Sequence, residues 1–387
     1  MAAFALGARR LPTTLLRCLG RASSGSGRRS LVVIGLLVLG LTSCSVRRTF
    51  RASPGPYDKI DAVSENRLRV ARDRMATGDL ERAEAVLVEL ADEHRQHVPT
   101  WTLLQEVRLK QLIRGGSTVE EAEADLAKLT RKLALERDDV VPWVLLARLA
   151  ETREEAEESL DRAAAIDPRC VWVSYARAWW SFRDRDFKAA RQHVDEAFAL
   201  DGGHLETLRL YSRLAAGGSD SPLAINALEV WIRRAAESAR VRDLDIARAE
   251  LDLAALYMLE ERPDDALDVL TILDLDLFDE RERARAELVR AAAFDDAELG
   301  RLALRAATRA NELDPDDLMP YVHRALLLED SDPVEAEAAW KALLELAEAQ
   351  RVAASEADED RGFQPLLLEL RARYAVARAE RDRLGIE

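Results

Sequence analysis

Three stretches of this chain end alike: AAAIDP at 163–168, AFALDG at 197–202 and ANELDP at 310–315. Each closes one helical pattern and opens the next. An Asp-Pro at such a place stops a helix, because Pro lacks a backbone donor, and starts another, because its fixed φ suits the first turn. From about residue 60 onward the apolar residues recur at helical spacing, broken only by short clusters of Gly, Pro, Asp or Ser. Nothing reads as a series of strands. A chain written this way folds as helix, tight turn, helix, many times over, and a repeated unit sets the whole architecture. Length agrees: 387 residues exceed what one compact core usually holds, so two domains or an elongated array is expected.

The units can be followed residue by residue. The first starts near Ser64 and is anchored by Ala71, Gly78, Ala83 and Leu87. Trp101, Leu104, Ala122 and Leu126 mark a second with a longer turn. The third carries Trp143, Leu146, Ala147, Ala156, Leu160, Ala163 and Pro168; the fourth carries Trp172, Tyr175, Ala176, Trp179, Ala190, Val194 and Ala197. A less regular hairpin spans about 204–237 and turns at Gly217-Gly218. Then come Leu253–Leu273, a set at Ala291, Phe294, Ala303, Ala307, Ala310 and Pro315, and a last set at Tyr321, Ala325, Ala336, Trp340 and Leu343. Small residues let two helices approach closely and bulky ones fill the gaps beside them. No single hairpin buries its own apolar face, so neighbours must stack.

This pattern of bulky, small, aromatic and turn positions resembles the tetratricopeptide repeat (TPR), a helical hairpin of about 34 residues. The resemblance covers roughly Ser64 to Ala349 and is strongest at Leu253–Leu273. It implies an all-α solenoid of stacked antiparallel helical hairpins over residues 58–352, with a groove for a protein or peptide ligand lined mainly by the first helix of each hairpin. Residues 353–387 hold an acidic stretch, Ala353–Arg361, and an amphipathic helix, Phe363–Leu384, with Leu366, Leu370, Tyr374 and Val376 on its apolar side. Such a terminal helix is expected to cap the stack.

The other end of the chain reads as an address. Leu31–Leu41 is an unbroken apolar run of eleven residues after Arg28-Arg29. That describes a secretory signal, and the run is shorter than the roughly 20 residues a membrane-spanning helix needs. Leu41-Thr42-Ser43-Cys44 resembles the bacterial lipobox. The resemblance implies a signal peptide over 1–44 cut between Ser43 and Cys44, with Cys44 carrying diacylglycerol and a fatty acyl chain such as palmitate. Ser45 in place of Asp favours the outer membrane, facing the periplasm. Residues 45–57, with Pro54, Gly55, Pro56 and Arg47, Arg48 and Arg51, are expected to be a flexible tether. The Arg-rich, acid-free stretch 1–27 also resembles a mitochondrial transit peptide, so a mitochondrial membrane-anchored repeat protein is the alternative address.

Charge narrows the partners. The chain carries a net −15, yet residues 1–56 hold nine Arg and no acid, leaving 47 basic against 71 acidic residues in the body. So acidic a body argues against nucleic acid and points to a basic or neutral ligand. Of the three Cys, lipidation of Cys44 and loss of Cys18 would leave Cys170, expected as a small buried residue, and no disulfide framework.

No chemistry-bearing motif stands out. Gly115-Gly116 and Gly217-Gly218 lack the strand and the Lys-Ser/Thr of a phosphate loop. His94 and His97 stand three apart without a third ligand nearby, so they read as solvated helix-face residues and no metal is expected. Trp172 and Trp179, seven apart, are expected in the core, with Trp180 the one to stand exposed. The expectation is a non-enzymatic, cofactor-free scaffold on the bacterial envelope. The rival is an envelope enzyme, or its accessory subunit, acting on cell-wall glycan through a carboxylate pair. Mass spectrometry of the mature N-terminus is expected to find an acylated Cys44; an intact Leu31–Val46 segment would contradict the lipid anchor.

Overall fold

The computed structural model describes residues 57–356, except 138, 219, 239, 240 and 330, together with 370–379 except 372. The expected signal peptide, Ser43, Cys44 and the tether up to residue 56 lie outside the described residues. Among those described, all regular structure is helical and no helix is long and apolar enough to cross a membrane. The described residues divide into two compact units, one within Thr49–Arg262 and one within Pro263–Glu387.

In Thr49–Arg262 eleven helices follow one another: α1 Ala62–Ala76, α2 Leu80–Glu93, α3 Val98–Arg114, α4 Val119–Glu136, α5 Val140–Arg148, α6 Arg153–Ile166, α7 Val171–Arg183, α8 Phe187–Leu200, α9 Leu205–Gly217, α10 Ser221–Glu237 and α11 Asp243–Leu259. Each packs on the next, and α1 also touches α3, α3 touches α5, α5 touches α7 and α7 touches α9. First helix on first helix is the signature of hairpins stacked in one direction. The tetratricopeptide-like stack is therefore real in this unit.

The starts are fixed by side-chain caps. Asp61 accepts from the Val63 and Ser64 amides, Asp139 from Val141, Thr152 from Glu155 and Asp186 from Ala189. Thr118 and Glu121 form a reciprocal capping box at α4. Pro99 and Pro222 sit in the first turns of α3 and α10, where a missing amide costs nothing.

Three of the turns inside the hairpins share one geometry. Gly78, Gly116 and Arg185 have φ of 82°, 104° and 62°, and the next residue's amide bonds five residues back: Asp79 to Arg74 O, Ser117 to Leu112 O, Asp186 to Ser181 O. This is the left-handed helix end that glycine favours. Arg185 holds it without glycine, at a cost of about 1–2 kcal/mol. Counting back from the turn corrects the register of the fourth unit. Ala71 lies seven residues before Gly78, and Ala178, not Ala176, lies seven before Arg185; both are fully buried. The two-residue shift turns Trp180 inward, 2% exposed, and leaves Trp179 39% exposed, the reverse of the expectation.

The second helices repeat more strictly. Ala122, Ala156, Ala190 and Ala224 follow at intervals of 34 residues, each 0% exposed. Around them sit Leu126, then Leu160 and Ala163, Val194 and Ala197, Leu228 and Trp231, all buried at i+4 and i+7 of an inward helix face. Ala224, Leu228 and Trp231 make the hairpin 204–237 as regular in its second helix as its neighbours.

In Pro263–Glu387, α12 Pro263–Ile272 and a short 3₁₀ turn, Leu275–Leu277, precede α13 Glu280–Asp296, α14 Gly300–Leu313, α15 Leu318–Leu328 and α16 Pro333–Glu356. Here α13 packs with α14, α15 with α16, and α13 also touches α15. The left-handed turn recurs at Glu298, φ 60°, seven residues after buried Ala291. The second helices carry Ala266, Leu270 and Leu273, then Ala303, Ala307 and Ala310, then Ala336, Trp340 and Leu343, all buried. The expected unit Leu253–Leu273 is thus divided between the two compact units. The helix α16 runs through residue 356, into the stretch expected to be an acidic loop. Helical residues 370–379 then pack Leu370 and Ala377 against Trp340, Leu343 and Ala347. Arg371 pairs with Glu348 at 2.7 Å and Arg373 lies over the Trp340 ring. This is the expected C-terminal cap.

Candidate functional site

Because each first helix of Thr49–Arg262 rests on the next, their free sides join into one surface. Its residues come in order: Arg72 on α1, Gln105 and Glu106 on α3, Arg148 on α5, Tyr175 on α7, Arg209 and Arg213 on α9, Arg242 and Asp245 at α11. The surface is concave. Arg148 is solvent-exposed, yet the protein around it lowers its pKa by desolvation. A group surrounded by protein atoms and still reached by water sits in a hollow. Desolvation likewise lowers Arg209, offset in part by its 2.9 Å bond to Asp252. Arg72 on α1 is lowered by burial and feels Asp243 and Asp245 from α11, so the two ends of the unit face each other.

The floor is held by hydrogen bonds between successive first helices. Gln105 donates to the Leu145 carbonyl at 3.3 Å, and Arg148 donates to Gln105 Oε1 at 3.1 Å and the Thr102 carbonyl at 3.4 Å. The guanidinium of Arg148 therefore spends its bonds on neutral acceptors. Tyr175 lies close enough to Glu206, Arg148 and Arg213 for all three to bear on its hydroxyl, whose pKa burial raises first of all. Arg72 leaves Nε and Nη1 buried without partners. Net charge pointed to a basic or neutral ligand; the hollow itself presents arginines, of which Arg209 and Arg242 are paired with Asp252 and Asp245. A ligand responds to the groups it touches, since charges beyond about 8 Å are screened at physiological salt.

At the adjoining edge the first helices begin, and the chain before α1 crosses them. The Tyr57 hydroxyl donates to Asp167 at 2.6 Å, its carbonyl accepts from the Val98 amide at 3.0 Å, and Asp58 Oδ2 accepts from Trp172 Nε1 at 3.2 Å. Tyr57, placed at the end of the expected tether, is buried core. Asp58 also meets His204 and Glu206, the first residues of α9, and potential ligand atoms of the three lie within 4.8 Å of one another. Sequence reading missed this group because Asp58 stands far from the other two along the chain.

The remaining candidates fall elsewhere. His94 and His97 do not lie on a helix face: they end α2 and begin α3. His94 Nε2 bonds Ser64 Oγ at 2.8 Å, and His97, 1% exposed, bonds Thr100 Oγ1 at 2.6 Å. Trp180 donates to the Ala147 carbonyl at 3.2 Å, tying α7 to α5, while Arg183 stacks over its ring at 4.5 Å. In the other unit, an open cleft of about 620 Å³ lies between α13 and α14, lined by Phe294, Leu302 and Leu304 with Arg290, Arg305 and Glu287.

No family model and no curated protein matches the chain. Among solved structures it is similar to YrrB, a TPR protein with an unusual peptide-binding site, at 17% identity and TM-score 0.42, covering 50% of this chain and 96% of that one. PilF of Pseudomonas aeruginosa gives 15% and 0.41, covering 58% and 95%; yeast Tom70 gives 15% and 0.38, covering 86% and 67%. At such values the fold rests on the chain's own helix packing.

Cys170, the N-cap of α7, is 1% exposed, and burial pushes its thiol up to about 12. The thiolate is the reactive form. Iodoacetamide at pH 8 is therefore expected to leave Cys170 unlabelled in the native protein and to label it after denaturation, read by mass spectrometry; equal labelling in both states would contradict this burial.

Proposed function

We propose that this protein is a non-enzymatic scaffold that holds a segment of another protein in the hollow of Thr49–Arg262. The observation that carries this is the unbroken row from Arg72 through Gln105, Arg148 and Tyr175 to Arg213, contributed by five successive first helices. Such a row suits an extended or helical segment laid across the hairpins. Arg148 and Arg213 beside Tyr175 favour a segment bearing carboxylates, because a guanidinium pairs with a carboxylate through two parallel bonds. Tyr175 supplies apolar area with a polar tip at little entropy cost.

The anchor belongs to the same proposal. Cys44, cut after Ser43 and acylated, would fix the body to the bacterial envelope at the outer membrane. Its acyl chains would contribute about 0.8 kcal/mol per buried methylene. A scaffold so tethered meets its partners on a surface, where a second weak contact becomes an intramolecular one. The enzymatic rival needs a carboxylate pair facing a substrate cleft; the hollow instead has arginines with Glu106 and Asp245 between them.

Affinity capture from envelope extracts with the full chain and with Arg148→Glu/Arg213→Glu tests the reading. Arg148 also bonds Gln105 and the Thr102 carbonyl, so circular dichroism of the variant checks that it folds, and Arg213→Glu alone, at an exposed position, is tested beside it. A partner retained by the wild type and by the exposed-surface control Lys341→Glu, and lost at least tenfold in the double variant, is the expected result. A partner held equally by all four would contradict the hollow as its site.

A further inference from the structure

We propose that Asp58, His204 and Glu206 form a binding site for one divalent first-row cation of the zinc class, which ties the Tyr57–Asp58 segment to the start of α9. The inference stands apart from the partner-binding reading and uses none of the groove arginines.

His204 carries the argument. Its side chain is 0% exposed and its Nε2 has no hydrogen-bond partner. A buried polar atom left so destabilises the fold unless a ligand satisfies it. The atom points at two carboxylates: Glu206 Oε2 at 3.2 Å and Asp58 Oδ2 at 3.8 Å. The contact with Glu206 is short but misaligned, so Glu206 Oε2 also lacks a hydrogen bond. One ion satisfies both atoms. Ligands at about 2.0–2.2 Å from a tetrahedral ion stand roughly 3.3–3.6 Å apart; the two separations from Nε2 come within tenths of an ångström of that, and the two carboxylates lie within 4.8 Å of each other.

The surroundings prepare the ligands. His204 Nδ1 accepts from the Thr207 amide at 3.2 Å and lies 2.7 Å from Thr207 Oγ1; an ion at Nε2 would select the tautomer with the proton on Nδ1, which Thr207 Oγ1 then accepts, the usual way a second partner fixes a metal-binding imidazole. The Trp172 ring meets His204 edge to face at 4.5 Å and its Nε1 donates to Asp58 Oδ2, holding ring and carboxylate in place. Asp58 is 2% exposed at its side chain and Glu206 32%, so the Glu206 side is the one from which a water would enter to complete the ion's coordination. One nitrogen and two carboxylates suit zinc or manganese better than a thiolate-seeking ion. The comparable grouping of His94 with Asp61 lacks the decisive feature, because His94 Nε2 is bonded to Ser64 Oγ.

The full chain, purified in detergent and stripped with chelator, is titrated with Zn²⁺ by calorimetry, and with Co²⁺ followed by visible absorption. The expected result is about one equivalent bound in the micromolar range or tighter, with tetrahedral cobalt bands and a raised Tm. Glu206→Gln and Asp58→Asn are each expected to weaken binding about 10–100-fold, whereas His94→Ala leaves it unchanged. Glu206 is partly exposed, so its variant tests the site even if Asp58→Asn unfolds. Absence of saturable Zn²⁺ binding below about 100 μM, or binding untouched by Glu206→Gln, overturns the proposal.

Discussion

The structure depends on the closeness with which two helices cross where the second presents alanine. A second helix meets its own first helix and the next hairpin at one residue, and that residue has no room beyond its Cβ. Ala83, Ala122, Ala156, Ala190 and Ala224 in one unit, and Ala266, Ala303 and Ala336 in the other, occupy this place and are buried to 1% exposure or less. Close approach lets Leu and Val at i+4 fill the space beside the crossing, so burial is shared between neighbours and not gathered in one centre. A hairpin alone would leave that face wet. Serial burial also explains why first helices, packed on one another by their edges, keep a free side to offer.

From that constraint follows the placement of polar chemistry. Serial stacking puts every first helix's amino end on one edge and every concave-facing residue on one floor. The floor gathers Arg148, Tyr175, Arg209 and Arg213 from separate hairpins. The edge gathers His97, Cys170 and His204, three N-cap residues, beneath the segment that begins with Tyr57. Negative charge near helix amino ends is favoured, which gives Asp58 a reason to lie there beyond its bond to Trp172.

Much of this was legible before any coordinates. The Asp-Pro endings fix the hairpin boundaries, and the Ala, Leu, Ala spacing at 156, 160 and 163 is read directly as the buried face of α6. What misled was registration. Trp172, Tyr175 and Trp179 fit a bulky-position pattern, but Trp179 faces water because the left-handed turn falls at Arg185, a residue that does not announce it. Glycine marks the same turn at Gly78 openly. Ala224 could have been found from its interval of 34 residues after Ala190, had the spacing been counted across the ragged turn at Gly217-Gly218. The hollow's arginines and the Asp58–His204–Glu206 group were not legible, because curvature and a crossing segment bring together residues that no local pattern connects. Net charge is a coarser guide for a related reason: it sums faces that a ligand never meets together.

The most direct test of the serial crossing is to fill one. Ala190 on α8 is 0% exposed, whereas Ala199 on the same helix faces solvent. Urea unfolding followed by far-ultraviolet circular dichroism, applied to Ala190→Leu and Ala199→Leu, compares the two. The account predicts that Ala190→Leu lowers stability by about 1–3 kcal/mol through overpacking, and that Ala199→Leu stays within about 0.5 kcal/mol of wild type. Two variants that unfold alike would contradict it.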